Sequence, residues 1–283
     1  MKAHRFTAYL LLIVVSIIWA VAGPVIKYVL GEVPPLTFLL YRFAVSSIVA
    51  LITFVFTGVH LPKKFSTLLL LLLYGFITST VTLGLLFVGL KETTVLEMSL
   101  ISLIGPLMIA IAGVAFLREH ITKREKMGMA IALGGTVLTV VAPMQLSGNL
   151  LIILYLIANT VSVIICKKLL RLGVSPSLMT NLTFIIGFIT TLPLVGPIGP
   201  IHLSINSIIG IVFLGAISGS LAYYMGNKAQ KTIEVSEAGL FSYLYPLLSM
   251  PLAVIWLHEQ VTLLYVIGAI IVAIGVVIAE LKN

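Results

Sequence analysis

Ten continuous apolar runs carry most of this chain, and its charged residues gather in the short intervals between them. The runs cover about 7–30, 35–57, 66–89, 95–117, 125–142, 148–170, 177–195, 206–226, 235–257 and 262–280. A helix crossing the hydrocarbon core of a bilayer needs roughly 20 apolar residues, and each run reaches or approaches that length. The apolar positions are continuous rather than alternating, so the runs read as helices and not as barrel strands. They use most of the 283 residues and leave no room for a soluble domain. The first run follows Lys2, His4 and Arg5, in the manner of a signal peptide. It continues to about Leu30 with no small-residue cleavage site after it, which predicts an uncleaved first helix.

One stretch occurs twice. Glu97, Pro106, Glu119, Thr122, Gly128 and Gly135 are matched by Glu237, Pro246, Glu259, Thr262, Gly268 and Gly275, each 140 residues later. From Lys91 to Val137 that offset gives 15 identities in 47 positions. Apolar composition alone does not align prolines, glutamates and glycines without a gap, so this is an internal duplication. Gly75 with Gly215, Lys91 with Lys231 and Lys27 with Lys167 extend it toward the start of each half. In each copy a Pro-bearing run ends in a charged turn, and a Thr then opens a Gly-studded run. Thr122 and Glu125 fit a capping box. The glycines recur seven apart on one helix face, where backbones can approach closely.

The domains predicted are 1–142 and 148–281, of five helices each. An odd number turns the second half upside down relative to the first. The fold class expected is therefore an all-α membrane protein of ten transmembrane helices in two inverted repeats. Orientation follows from the basic residues. With the N-terminus inside, 14 of the 17 lysines and arginines fall on inside loops, so both termini are expected in the cytoplasm and the chain in the plasma membrane.

Composition agrees. The chain is 60% hydrophobic and 9% charged, where a soluble domain carries about 25% charged residues. The net charge of +8 comes from loop residues, with no basic patch interleaved with aromatics, so no nucleic-acid partner is expected. Cys166 is alone and offers neither an intramolecular disulfide nor a thiol metal site.

The ten-helix plan in two halves, the early Trp19, the segment Tyr41-Arg42-Phe43-Ala44 and the repeated Pro-Glu-Gly signature resemble the EamA-type branch of the drug/metabolite transporter superfamily. The resemblance covers essentially the whole chain. It implies a ten-helix carrier that moves small metabolites across the plasma membrane, commonly outward. It also implies a central cavity surrounded by the first, third, fourth, sixth, eighth and ninth helices. The sugar-phosphate branch of the superfamily uses basic residues in its cavity. The corresponding runs here hold none deep in the membrane, which argues against a phosphorylated substrate.

Deep polar and aromatic residues are few, and Trp19, Thr80, Ser99, Asn159, Tyr223 and Tyr243 are the expected substrate-binding set. A mid-helix amide such as Asn159 rarely faces lipid, and Trp19 lies away from the interfacial belt. For any single Ser or Thr the plainer reading is packing between helices. Pro106 and Pro246 each free a carbonyl near mid-helix and serve as hinges or as static kinks. Glu97 and Glu237 lie just inside their runs; they pair with Lys91 and Lys231, or act as a gate or in proton coupling. Glu119 and Glu259 read as turn-stabilising acids. Arg42, about two turns into its run, snorkels outward and locks its helix, or holds a substrate carboxylate.

All five histidines fall in tails or turns, which excludes an intramembrane zinc site and a rhomboid-like protease. There is no Walker loop, no cofactor is expected, and the chain is not read as an enzyme. The expected function is a secondary transporter for small neutral or zwitterionic metabolites, amino acids first among them, working by alternating access and in export. The alternatives are a lipophilic-cation exporter and a non-transporting scaffold. Its partners are the bilayer and a small-molecule substrate, and ten helices can close a bundle as a monomer or a weak homodimer.

Overall fold

The computed structural model describes residues 2–117, 127–128, 130–131, 133–135, 146–196 and 203–280. The described residues form helices α1 (Lys2–Val29), α2 (Pro35–Thr57), α3 (Phe65–Glu92), α4 (Val95–Phe116), α5 (Leu146–Arg171), α6 (Pro176–Leu194) and α7 (Ile205–Gln230). Helices α8 (Val235–Phe241), α9 (Leu244–Leu257) and α10 (Leu263–Glu280) complete the chain. Among the described residues, seven helical stretches are long and apolar enough to cross a membrane. Val55 and Phe56 are 81% and 83% exposed, so the outside of the bundle is apolar and suits lipid rather than water. The protein is a multi-pass membrane protein. Most of the run predicted over 125–142, with Glu119, Thr122 and Glu125, lies outside the described residues.

The two halves interleave. Helix α1 packs on α7 and α9, while α5 packs on α3 and α4, the same contacts 140 residues displaced. Helix α2 packs on α6, its own counterpart. The main core fills this seam with Phe38 and Phe87, ring centroids 4.9 Å apart, and Phe43 and Phe184, 6.0 Å apart.

Three departures from regular helix matter. Helix α4 turns at Leu103–Ile104, and the break between α8 and α9 falls at Ser242–Tyr243, matching it to within one residue at the repeat offset. Pro106 has no N–H for the carbonyl of Ser102, and Pro246 has none for Ser242. The chain is thus interrupted ahead of each proline, more than the simple kink expected. The third departure is shared by α3 and α7, which widen into π-helix at Ile77–Leu83 and Phe213–Leu221.

The lysines of the repeat cap helix ends. Lys27 Nζ donates to Leu90 O at 2.9 Å and to Thr93 O, closing the C-terminus of α3. Lys167 Nζ donates to Gln230 O at 2.7 Å and to Ile233 O, closing α7 in the same way. Lys167 is buried rather than loop-exposed, because four-carbon stems carry both ammonium groups to carbonyls that no water would reach.

Glycines permit the close approaches. A Cβ on Gly135 would lie 2.9 Å from Gly268 O and from Val272 N, so this pair from the Gly-studded runs does bring backbones together. A Cβ on Gly215 would meet Val45 Cβ at 2.6 Å and Arg42 O at 2.9 Å, whereas on Gly75 it would meet chiefly the Ile186 Cδ1 tip, at 2.5 Å. G215A is therefore expected to destabilise the protein by about 1–3 kcal/mol, and G75A by less because the Ile186 tip can rotate away. Unfolding in detergent checks this, and equal losses would contradict it.

Candidate functional site

A cavity of about 100 Å³ lies within the bundle. Helical spacing explains its wall. Trp19, Gly23 and Ile26 recur along one face of α1, Tyr155 and Asn159 along one face of α5, and Met98, Ser102 and Gly105 along α4. Helix α7 contributes Ser218 and Tyr223, and the α8–α9 break contributes Ser242 and Tyr245. The aromatic wall is rigid. Trp19 meets Tyr223 edge to face at 5.4 Å and Tyr245 at 6.4 Å, and Tyr223 meets Phe184 at 5.2 Å. A smaller polar recess shares Trp19, Asn159 and Tyr223 and continues to Tyr74, Cys166 and Asn227.

Eight of the nineteen lining positions come in repeat-related pairs. Trp19 and Asn159, Leu83 and Tyr223, Ser102 and Ser242, and Gly105 and Tyr245 each lie 140 residues apart, and all eight line the cavity. The repeat supplies these positions, and substitution within three of the four pairs supplies the chemistry: indole against amide, aliphatic against phenol.

The π-helical stretch of α7 anchors two wall residues, Arg42 and Trp19, together with Ser46 of α2. A π turn displaces the regular hydrogen-bond ladder and leaves carbonyls free. Arg42 Nε donates to Leu214 O at 3.0 Å, Ser46 Oγ to Gly215 O at 2.8 Å, and Trp19 Nε1 to Ser218 O at 3.2 Å. Arg42 is 2% exposed, lines the cavity and stands 5.5 Å from the Phe87 ring centre. It does not snorkel outward as expected, because the Leu214 carbonyl and the Phe87 face hold it in. The cavity therefore does contain a cation, supplied by α2, outside the six helices from which the resemblance assembled it.

Of the residues expected at the site, the structure brings together Trp19, Asn159, Tyr223 and Pro106. Thr80 instead pairs its hydroxyl with Thr190, joining α3 to α6. Ser99 is fully buried with its hydroxyl unpartnered, and it does not line the cavity. Tyr243 packs with Leu100, Leu103, Leu107 and Val272, while Tyr245 takes the wall position, because the turn at Ser242–Tyr243 rotates the helix face. Pro246 is buried behind the break. The repeat offset carried the missing signal, since Gly105 points to Tyr245 and Trp19 to Asn159. Nothing in the sequence announced the π stretches beyond their clustered Gly, Ser and Thr.

Glu97 lies at the N-terminus of α4 and not at the cavity. Its carboxylate accepts from Thr93 Oγ1 at 2.6 Å, while Lys91 donates to Leu30 O at 2.7 Å, so the expected Lys91–Glu97 pair is replaced by two helix-end contacts. The side chain of Glu237 lies outside the described residues. Glu259 does more than brace its own turn. It reaches across the seam and accepts from the N–H groups of Val95 and Leu96, both at 2.8 Å. With Thr94 Oγ1 accepting from Glu97 N at 3.1 Å, three orphan donors of α4 are satisfied, and a negative charge meets the positive end of the helix dipole.

Two more contacts cross the seam at that end. Tyr28 stacks on Trp256 at 6.2 Å, and Glu32 accepts from Ser204 N at 3.0 Å and Ser204 Oγ at 2.7 Å. Those bonds hold the Glu32 carboxyl below its ordinary range, so the contact persists as pH falls toward that lowered value and is lost beneath it. At the opposite end the seam is closed by Tyr9 on Phe241, at 5.2 Å, and by Ser16 Oγ donating to Phe241 O at 2.9 Å.

The sequence profile of the EamA-like transporter family matches twice, over residues 6–141 and 146–281. An uncharacterized transporter of Bacillus subtilis (strain 168), YyaM, is 25% identical, with 96% of this chain and 93% of that protein covered. A second from the same organism, YdfC, is 27% identical, covering 94% of this chain and 88% of its own length. An uncharacterized transporter of Archaeoglobus fulgidus is also 27% identical, with coverage of 94% and 95%. A crystal structure matches the fold with a TM-score of 0.71 and 19% identity, covering 98% of this chain and 97% of its own.

The geometry predicts thiol accessibility. In a C166S background, N159C and Y245C are expected to react with a small permeant maleimide about tenfold faster than T80C and Y243C, which are packed away from the cavity. Equal labelling rates at all four positions would contradict the assigned wall.

Proposed function

The chain belongs to the EamA-like transporter family, and we propose that it is a secondary carrier exporting small neutral or zwitterionic metabolites, amino acids first among them, by alternating access. In this reading ten helices form two oppositely oriented five-helix repeats, 1–142 and 148–281, with both termini in the cytoplasm and the bundle in the plasma membrane. The carrier acts as a monomer or a weak homodimer, and no catalytic step is proposed.

One observation carries the reading. Four repeat-related pairs supply eight of the nineteen residues that line the cavity, so the site straddles the seam about which the halves would rock. Contacts at each end of that seam supply what must break and reform: the Glu259 cap on α4 at one end, the Tyr9–Phe241 stack at the other. Lipophilic-cation export fits less well, because Arg42 places a positive charge in the wall with no carboxylate beside it among the described residues.

Uptake into proteoliposomes tests this, using labelled amino acids beside a lipophilic cation, with and without a pH gradient. Saturable amino-acid flux is expected, about fivefold slower in W19A and N159A at equal insertion. Preferential flux of the cation would overturn the proposed substrate class, and unchanged initial rates in both variants would remove these residues from the site. Dependence of flux on the gradient would assign Glu97 and Glu237 to proton coupling. E259Q weakens the cap on α4 and is expected to open that end of the cavity, raising the labelling of M98C about threefold or more. Unchanged labelling would leave Glu259 as a helix cap alone.

A further inference from the structure

Arg42 is a buried cation with no carboxylate partner among the described residues. Its Nε–H is used by Leu214 O, and its guanidinium stands over the Phe87 ring, 5.5 Å from the centroid. No acceptor among the described residues takes its remaining donors. The described glutamates all sit at helix ends. An uncompensated buried charge is costly, and a guanidinium fork matches a carboxylate in two parallel hydrogen bonds. Across the same cavity, Ser102 and Ser242 lie where Pro106 and Pro246 withhold the N–H that each serine carbonyl would otherwise receive. The cavity thus offers spare donors on one wall and spare acceptors on another, with aromatic rings between them.

We propose that Arg42 docks the carboxylate of the transported molecule, and that the carbonyls of Ser102 and Ser242 receive its ammonium group. The substrate is then an amino acid held by both charges, with its side chain against Trp19, Tyr223 and Tyr245. The two serine carbonyls are related by the repeat. The arginine is not, since its counterpart is Leu182, a residue with no charge to share. The site therefore has one anion-binding wall and a fixed polarity. This assignment rests on the carrier reading for its physiological meaning, but binding alone can test it.

Purified full-length protein with W256F leaves Trp19 as the only tryptophan, and its fluorescence reports occupancy of the cavity. The probes are L-phenylalanine, its amide, 3-phenylpropionate and phenethylamine. L-phenylalanine is expected to bind tightest, with loss of either charge weakening binding about tenfold or more. R42Q is expected to erase the preference for the acid over the amide, and R42K to keep part of it. The wild-type comparison of acid with amide needs no variant, so misfolding of R42Q would not blunt the test. Equal binding of acid and amide, or a preference that survives in R42Q, would overturn the assignment. Flux in proteoliposomes separates the two readings. Carboxylate-selective quenching without flux would sustain Arg42 and sink the carrier. Flux of the amide or amine equal to that of the acid would sink Arg42 and sustain the carrier.

Discussion

A backbone carbonyl inside a membrane bundle must find a donor without help from water, and this requirement organises the molecule. Regular helix meets it internally. At several of the irregular points a side chain from elsewhere supplies the donor. The ends of α3 and α7 are closed by Lys27 and Lys167, and the π stretch of α7 by Arg42, Ser46 and Trp19. The N-terminus of α4 presents the converse problem, free N–H groups, and Glu259 answers it. Several polar side chains of the interior are fixed by this need, Arg42 and Trp19 of the cavity wall among them.

Duplication explains why the solution occurs twice, and divergence explains why it can select a ligand. The lysine caps are the same device in each half, down to the offset of their carbonyl partners. The cavity pairs have diverged, leaving the serines alone unchanged. A strictly symmetric wall would present the same chemistry twice and bind in two equivalent poses. Indole facing amide and phenol facing leucine make one pose different from the other, as does an arginine with no counterpart.

What could be read from the sequence followed from properties that need no partner. The apolar runs declare themselves by length, and seven of them reappear as long apolar helices. Asn159 and Trp19 were legible because each is costly or unusual at its depth. The direction of a side chain was not legible. Depth alone cannot tell an arginine that snorkels from one turned inward by a carbonyl 172 residues away. Tyr243, expected at the site, packs into the core instead, and beyond the turn ahead of Pro246 it is Tyr245 that lines the cavity. Lys91 and Glu97 have the spacing of a pair, yet each finds a nearer obligation at a helix end. In water such pairing is optional; here the unpaired helix ends set the priority.

The same requirement bears on the energetics of the cavity. Regular helix carries no unmet backbone groups, but the two proline breaks leave carbonyls open beside a guanidinium that lacks an acceptor for most of its donors. Packing cannot remove these costs without losing the cavity. A ligand that brings one anion and one cation meets both, and does so only where the walls stand close enough to be spanned. On the proposed reading, binding energy would favour the conformation in which α2, α4 and α8–α9 are drawn together, and a closed, loaded state would be stabilised by its differential contact with the ligand. A ligand lacking either charge would leave one wall unsatisfied and give the halves less reason to close. Selectivity and closure would in that case be two results of one shortage of hydrogen-bond partners.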